Sequence, residues 1–310
     1  MLDVSLLGTG GMMPLPRRFL TSLLLRRNGR LLMVDCGEGT QVTLKLLGWA
    51  YKNLDVICFT HFHADHIAGL PGLLLTVGNS GREETLTLVG PQGLSQVARC
   101  LCVIAQDLPF DIDVIELPYE THFAPETVTL GDYNISAYPL DHRVPCFAYS
   151  FLFPRVGRFD AERAKVADIP LKMWNRLQKG ETITQDGRTF TPDMVLGPAR
   201  APIKMSYCTD TRPVKGLAGF VKNSDLFICE GLYGEPDKQR TAAKHKHMTF
   251  QEAAKIARDG GVKELWLTHF SPAMPAPEAY IDNARAIFRN SKIGKDRMTT
   301  VIEYEDDSCL

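Results

Sequence analysis

Short apolar runs recur along the chain, and each one ends at a polar or glycine-rich turn. They are rich in Val, Ile, Leu, Phe and Tyr, and this composition favours β-strands. The runs predicted as strands are LDVSLLG at 2–8, RLLMVDCG at 30–37, LDVICFTH at 54–61, YNISAYPLDH at 133–142, IKMSYCTD at 203–210, DLFICEG at 225–231 and ELWLTH at 264–269.

Apolar residues at helical spacing lie between several of these strands. The spacing predicts helices within 92–108, 249–261 and 276–291. The second carries a capping box of Thr249 with Glu252 and is expected to end at Gly260. Strands mixed with helices indicate an α/β layered domain.

The segment 158–200 differs from the rest of the chain. It is polar and turn-rich, and its hydrophobic periodicity is weak. We interpret it as a polar segment inserted between two core strands, so that 1–310 forms a single domain.

Composition and charge narrow the class of protein. Apolar residues make up 45% and charged residues 23% of the chain, as in ordinary soluble globular proteins. The net charge of −1 creates no general basic field, so nucleic-acid binding would have to come from local patches. Eight scattered cysteines without a CxxC motif suggest reduced thiols and a cytoplasmic location. The amino terminus lacks signal-peptide features, and the longest apolar segment, 67–77, is too short to span a bilayer.

Polar side chains follow the predicted strands at the point where each strand ends. Open α/β sheets gather their site residues at the carboxyl ends of strands, so these side chains are expected to converge. They are Asp35, the cluster His61–His66, His142, Asp210 and His269.

The cluster FTHFHADHIAGL at 59–70 contains the pattern HxHxDH. A lone His or Asp after a strand is usually a cap or a solvated residue, but this pattern is rare by chance. Imidazole and carboxylate are the ligands of zinc and similar metals. A pair of metals about 3.5–4 Å apart clamps the attacking and leaving oxygens of a displacement and acidifies a bound water. One metal would take His61, His63 and His142, the other would take Asp65, His66 and His269, and Asp210 would bridge them.

Several motifs resemble a known family in their order along the chain. THFHADHIAGL resembles the signature of the metallo-β-lactamase fold, and Asp35 in VDCGEGTQ matches the residue that supports its metal loop. LLGTGG at 6–11, DCGEGTQ at 35–41, TDTRP at 209–213, KHM at 246–248 and LTHFS at 267–271 resemble ribonuclease Z, the endonuclease that trims the 3′ end of tRNA precursors. The resemblance covers essentially the whole chain. It implies an αββα sandwich of two mixed sheets with helices outside, and the short, homodimeric form of the family.

The resemblance also implies roles at matching positions. Two Zn²⁺ per chain are expected, with Mn²⁺ or Fe²⁺ as alternatives. Asp65 would orient or deprotonate the nucleophilic water, and His247 would protonate the leaving 3′ oxygen while held by Glu230. Asp210 would be shared by both metals. No role is expected for His122 or His245.

The segments expected to contact the substrate match the family less closely than the metal-binding motifs do. Residues 158–179 correspond in place to a flexible arm that grips tRNA, yet the Gly-Pro of that arm is missing. PLPRRF at 14–19 stands where the family has Pro-x-Lys-x-Arg-Asn. In THFSPAMPAP at 268–277, the Arg-Tyr that the family usually has after this histidine is replaced. The basic side chains expected to contact phosphates are Arg17, Arg18, Arg158, Arg163, Lys165, Lys172, Arg176 and Lys179.

Three hypotheses follow for the function. The first is a zinc-dependent endonuclease on tRNA precursors. The second is a hydrolase of a small phosphodiester or another ester on the same fold. The third is a metal-bound RNA-binding or interaction protein with little turnover. The full ligand set with His247 and Glu230 argues against the third, and the basic arm favours the first over the second.

Overall fold

The computed structural model describes residues 1–119 and 125–304. It divides into two compact units, one of Met1–Leu152 with Lys204–Ile302, and one of Phe153–Ile203 with Glu303 and Tyr304. The second unit contains the inserted segment 158–200, and the interpretation of 1–310 as one domain stays a prediction. The expectation that His122 has no role lies outside the described residues.

Each predicted strand is present. The strands before Asp35, His61, His142, Asp210 and His269 stop short of these residues, whereas β13 includes Glu230. The strands that the pattern missed include those at 22–27, 86–91 and 147–155, where buried residues follow one another without alternation. The strands are β1 Leu2–Gly8, β2 Ser22–Arg27, β3 Arg30–Val34, β4 Leu54–Cys58, β5 Leu86–Pro91, β6 Ile112–Leu117, β7 Glu126–Leu130, β8 Tyr133–Pro139, β9 Phe147–Arg155, β10 Ile183–Gln185, β11 Arg188–Phe190, β12 Arg200–Cys208, β13 Leu226–Glu230, β14 Leu265–Thr268, β15 Ser291–Ile293 and β16 Thr299–Ile302.

Two of the three predicted helical segments form shorter helices than the apolar spacing predicted. The segment 92–108 forms α4 and a 3₁₀ turn, and 276–291 forms a 3₁₀ turn and α10. The predicted capping box of Thr249 and Glu252 is present, and the helix ends at Gly260 as predicted. Gly261 follows as a C-cap in a left-handed conformation. The helices are α1 Thr40–Leu47, α2 Ala64–Ile67, α3 Leu70–Asn79, α4 Leu94–Leu101, α5 Ala161–Val166, α6 Leu171–Gln178, α7 Leu217–Phe220, α8 Gln239–His245, α9 Phe250–Gly260 and α10 Ile281–Arg285.

Two seven-stranded sheets form the centre of the first unit. Their orders are β16-β1-β2-β3-β4-β5-β6 and β15-β14-β13-β12-β9-β8-β7. Strands β3 to β6 are parallel to one another, and so are β12 to β15. The carboxyl ends within each parallel set therefore lie along one edge of its sheet.

Helices cover one face of each sheet, and the other faces meet. Leu24 of β2 packs with α1 and α3, whereas its neighbours Leu23 and Leu25 point to the opposite face and are fully buried. The Tyr149 hydroxyl of the second sheet donates a hydrogen bond to the Phe59 carbonyl that follows β4. The result is the predicted order of helices, sheet, sheet and helices.

The second unit has a small apolar core of its own. Asp160 caps α5 by accepting a hydrogen bond from the Arg163 amide, and Met173 and Leu177 bury one face of α6. Trp174 packs against Phe159. The elements are too short to give a clear periodicity, so the sequence predicted none. Within the part of the chain that the structure describes, no helix has the length and apolar character needed to span a membrane.

Candidate metal centre

Residues of the candidate site follow strand ends in tight turns. Asp35 lies one residue beyond β3, and His269 lies one residue beyond β14. Asp210 lies two residues beyond β12. All three adopt left-handed backbone conformations, with φ of 59°, 57° and 47° respectively. This conformation is uncommon for residues other than glycine, and it turns the chain sharply at the edge of the sheet.

Four side chains form a first group of possible ligands. Their donor atoms lie within 4.8 Å of one another. His61 Nε2 lies 3.0 Å from His63 Nδ1, and His142 Nε2 lies 3.2 Å from the same atom. Asp210 Oδ2 lies 3.6 Å from His61 Nε2. The first group is His61, His63, His142 and Asp210, as the sequence predicted for one metal.

A second group lies next to the first and shares one carboxylate with it. Donor atoms of Asp65, His66 and His269 also lie within 4.8 Å of one another. Asp210 Oδ1 lies 3.1 Å from His269 Nε2 and 3.4 Å from His66 Nε2. One oxygen of Asp210 therefore reaches each group, and this geometry suits a bridging ligand.

The hydrogen bonds around the rings fit the binding of cations. Asp35 Oδ2 lies 2.8 Å from His66 Nδ1, and Thr60 Oγ1 lies 3.0 Å from His61 Nδ1. These outer partners leave Nε2 of each ring free to face the centre of its own ligand group, as in the carboxylate–histidine arrangement of metal sites. Among the described residues, the buried Asp210 Oδ1 has no hydrogen-bond donor. An unpaired buried carboxylate oxygen surrounded by converging nitrogens is well satisfied by a metal ion.

The loop LGTGG at 7–11 leads into a backbone contact with Asp65. The Met12 amide donates a hydrogen bond of 2.6 Å to Asp65 Oδ2. A Cβ at Gly11 would lie 2.6 Å from the His269 ring, so glycine lets this backbone approach the site. Burial would raise the pKa of the Asp65 carboxyl, but His66 and His269 hold that pKa well below its usual range. Asp65 is therefore an anion in this setting.

His247 and Glu230 form a buried pair beside the two groups. Glu230 Oε2 lies 3.2 Å from His247 Nδ1 and accepts a hydrogen bond from the Met248 amide. Glu230 Oε1 accepts a 2.6 Å hydrogen bond from the Thr211 amide. Burial would lower the pKa of His247, but the Glu230 carboxylate raises it to about 9. The Glu230 carboxylate therefore favours the protonated form of the imidazole.

Arg212 links the segment after Asp210 to this pair. It follows Asp210 by two residues, donates to the His247 carbonyl and pairs with both oxygens of Glu252. Glu252 in turn closes the capping box at the start of α9. The segment TDTRP therefore fixes the position of His247 relative to Asp210. The ring of His247 also lies within ligand distance of Asp210 and His269.

The cavity beside these residues has a volume of about 350 Å³. Part of its lining was not predicted, because His245 was expected to have no role. His245 is half-buried, and its Nδ1 lies 2.9 Å from the Tyr233 hydroxyl. Its position two residues before His247 is the signal that sequence reasoning passed over. The lining side chains outside the predicted site are Met12, Arg143, Leu232, Tyr233 and His245.

Two of the predicted phosphate contacts, Arg17 and Arg18, belong to the first unit. Arg17 is exposed, whereas Arg18 donates to the carbonyls of Met274 and Pro275 in the loop after His269. These bonds occupy its guanidinium group. The binding of substrate by both arginines stays a prediction.

Six of the predicted cations belong to the second unit. Lys165 pairs with Glu162, and Arg176 pairs with Glu181. Arg163 donates to backbone carbonyls of the same unit, and Arg158 makes further contacts of its own. Lys172 and Lys179 are exposed, and no side-chain partner is found for them among the described residues.

Comparison with solved structures identifies the fold. Human tRNase Z, short form, matches 97% of this chain and 99% of its own length with a TM-score of 0.69 and 24% identity. A metallo-β-lactamase-fold protein, YhfI from Bacillus subtilis, matches 96% of this chain and 98% of its own with a TM-score of 0.67 and 20% identity. The two facing sheets with helices outside are the metallo-β-lactamase fold.

Comparison of sequences identifies relatives over the full length. Residues 2–169 match the family model described as Anti-Pycsar protein Apyc1. Ribonuclease Z of Clostridium kluyveri is 53% identical over 306 residues, which cover 99% of this chain and 100% of the relative. Ribonuclease Z of Lachnoclostridium phytofermentans is 52% identical over 305 residues, which cover 98% and 99%. The chain therefore belongs to the ribonuclease Z family, with its residues 2–169 in the family of the Apyc1 model.

Proposed function

We propose that this protein is a metal-dependent endoribonuclease that removes the 3′ trailer of tRNA precursors. The observation that carries the proposal is the joining of two ligand groups through Asp210 next to the His247–Glu230 pair. Cleavage of an unactivated phosphodiester needs a nucleophile, neutralisation of charge and a proton donor for the leaving oxygen. The full-length similarity to proteins named ribonuclease Z supports the choice of substrate.

Two divalent ions, zinc in first place and Mn²⁺ or Fe²⁺ as alternatives, would be held by the two groups. His61, His63, His142 and Asp210 would bind one ion. Asp65, His66, Asp210 and His269 would bind the other. When bound, such a pair supplies an acidified water and positive charge for the phosphate oxygens.

The chain's own residues would carry the remaining steps. Asp65, whose Oδ2 accepts a hydrogen bond from the Met12 amide, would orient the attacking water and accept its proton. His247 would donate a proton to the 3′ oxygen of the departing nucleoside. Glu230 holds the imidazole through Nδ1, so that Nε2 is the atom available for this transfer.

A second copy of the chain is the proposed partner in solution. Val42 and Leu46 on α1 and Leu75 on α3 are exposed apolar side chains, with exposed fractions of 47%, 57% and 40%. Helices α1 and α3 contact each other, so these side chains belong to neighbouring elements. Sedimentation equilibrium of the wild type and of a Leu46→Glu variant would test the homodimer. A monomeric wild type would contradict it.

The function is tested with a 5′-labelled tRNA precursor and, in parallel, bis(p-nitrophenyl) phosphate. The expected products are a tRNA that ends in a 3′ hydroxyl and a trailer that begins with a 5′ phosphate. Chelation should abolish both activities, and zinc should restore them. Turnover of the small ester without any cleavage of the precursor would favour the hydrolase of small phosphodiesters. Elemental analysis of protein purified without chelator should find two equivalents of metal per chain.

A further inference from the structure

The cavity beside the metal groups has one wall to which the proposed chemistry assigns no role. This wall contains Tyr233, His245 and Arg143. Its neighbours Leu232 and Met12 add apolar surface. The cavity volume of about 350 Å³ lies at the small end of the range for ligand sites, about 300–1,000 Å³. A cavity of this volume has room for one nucleoside but not for a folded RNA.

Tyr233 and His245 are fixed by the backbone as well as by each other. The Tyr233 carbonyl accepts a hydrogen bond from the Phe250 amide at the start of α9. His245 is the last residue of α8, and Lys246 follows it in a left-handed conformation. Their side chains meet through the 2.9 Å contact between the Tyr233 hydroxyl and His245 Nδ1. The wall is therefore preorganised, which lowers the entropy cost of binding a ligand.

The same two segments are linked a second time by the proposed catalytic pair. Glu230 precedes Tyr233 by three residues, and His247 follows His245 by two. Thus Glu230–His247 forms the inner contact and Tyr233–His245 forms a neighbouring contact in the same cavity. If His247 protonates the leaving 3′ oxygen, the nucleoside that bears this oxygen lies on this side of the cavity.

We propose that Tyr233 and His245 form a subsite for the base of that nucleoside, the one on the 5′ side of the cleaved bond. This inference rests on the proposed ribonuclease function. Aromatic and imidazole rings bind unpaired bases by stacking, which tolerates any base. Arg143 is exposed at the same cavity and suits the phosphate on the 5′ side of this nucleoside. The subsite would hold the end of the mature tRNA while its 3′ oxygen leaves.

A purely structural role for the pair is the competing explanation. In that case the Tyr233–His245 contact only fastens α8, and the base does not touch it. The two explanations differ in one measurable quantity, which is the energetic coupling between the base and the two rings. Coupling of this kind is isolated by a double-mutant cycle in which one of the two changes is made in the RNA.

The experiment compares an intact tRNA precursor with one that is abasic at the nucleotide directly 5′ of the cleaved bond. For the wild type we expect kcat/KM to fall about 5- to 150-fold without the base, the range that base–aromatic stacking gives. For a Tyr233→Ala/His245→Ala variant we expect the two RNAs to differ by less than about twofold. The ratio is taken within each protein, so a general loss of activity cancels.

Matched controls keep the result interpretable. Tyr233→Phe keeps the ring and loses the hydroxyl, so most of the dependence on the base should remain. An abasic residue directly 3′ of the cleaved bond should give the same ratio in wild type and double variant. Should the double variant misfold, as judged by circular dichroism and metal content, His245→Gln provides the milder test.

Two results would overturn the subsite. One is an equal loss on base removal in the wild type and in the double variant. The other is a wild type that is indifferent to the base. A wild type that cleaves no precursor but hydrolyses bis(p-nitrophenyl) phosphate would instead refute the ribonuclease function itself, and with it the subsite.

Discussion

The two units use their charged side chains in opposite ways. In the first unit, the carboxyl groups of Asp35, Asp65 and Asp210 are almost completely removed from solvent, and each is within contact distance of another site residue. In the second unit the cations, such as Lys172 and Lys179, are exposed on short elements. Buried charges act through fixed geometry, whereas exposed charges act through their number and are screened by salt. The chemistry is therefore expected to depend on single atoms, and the binding of RNA on a sum of weak contacts.

The largest effect is expected at the residue shared by both groups. Asp210→Ala removes the carboxylate whose oxygens reach both sets of ligands. Metal content should fall from two equivalents to at most one, and turnover of the precursor and of bis(p-nitrophenyl) phosphate should both disappear. Elemental analysis together with both assays checks this. Retention of two equivalents would show that Asp210 does not bridge.

His247→Ala is expected to have the second-largest effect. The proposed role of His247 is to donate a proton in the transition state, so its loss should slow the reaction without removing a metal. Loss of such a donor typically slows a reaction by about 10²–10⁴-fold. The loss should appear with the RNA and should shrink with bis(p-nitrophenyl) phosphate, whose leaving group needs no proton. Metal content should stay at the level of the wild type. Equal losses on both substrates would indicate that His247 has a structural role or is a metal ligand.

Arg212 tests whether the position of His247 depends on the segment after Asp210. Arg212→Met removes the pairing with Glu252 and the bond to the His247 carbonyl. A misplacement of about 1 Å can cost up to about 10²-fold, so we expect a loss on RNA of up to that size. The smaller ester should again be less affected. Arg212→Lys is the control for charge, since lysine cannot form the bidentate contact; it should resemble Arg212→Met.

Asp35→Asn should weaken metal binding rather than the proton transfer. The carboxylate of Asp35 holds the outer nitrogen of His66. Loss of such an outer partner typically costs about 10–100-fold in metal affinity or activity. Competition with a chelator measures the affinity. Asp55→Asn is the matched control. Asp55 lies at the start of β4, where its carboxylate binds Arg30, and its replacement should leave metal affinity unchanged.

The smallest effect per residue is expected in the second unit. Deletion of 160–180 should weaken cleavage of the precursor and spare bis(p-nitrophenyl) phosphate. It should also weaken the dependence of RNA affinity on salt. The slope of log K against log[salt] should become less negative by about 0.9 for each duplex phosphate that the deleted cations no longer neutralise. Titration of RNA at several salt concentrations measures this slope. A parallel loss of small-ester turnover would contradict the comparison, because it would make the segment part of the catalytic structure.

The strand-end residues were predictable because two simple rules act on them together. A strand pattern fixes where the chain reaches the edge of a sheet, and the residue types HxHxDH indicate the chemistry there. Asp35 and His269 follow strand ends far from HxHxDH in the sequence, and their own motifs, DCGEGTQ and LTHFS, also indicated them.

Other features depend on contacts that a linear pattern does not encode. Arg18 looked like a free cation near the site, but the fold gives it the carbonyls of the 271–275 loop. Tyr233 and His245 are twelve residues apart and meet only after α8 folds back. The core of the second unit was missed because its helices are too short to show a period.

The left-handed conformations of Asp35, Asp210 and His269 have a consequence for the evolution and engineering of this protein. Each costs roughly 1–2 kcal/mol in a residue that carries a Cβ, and glycine would escape that cost. Selection for stability alone would favour glycine at Asp210 and His269 and would remove two of the proposed metal ligands. At Asp35, glycine would instead leave the buried Thr60 amide and the His66 ring without their acceptor. Libraries screened for stability should consequently hold these three codons fixed.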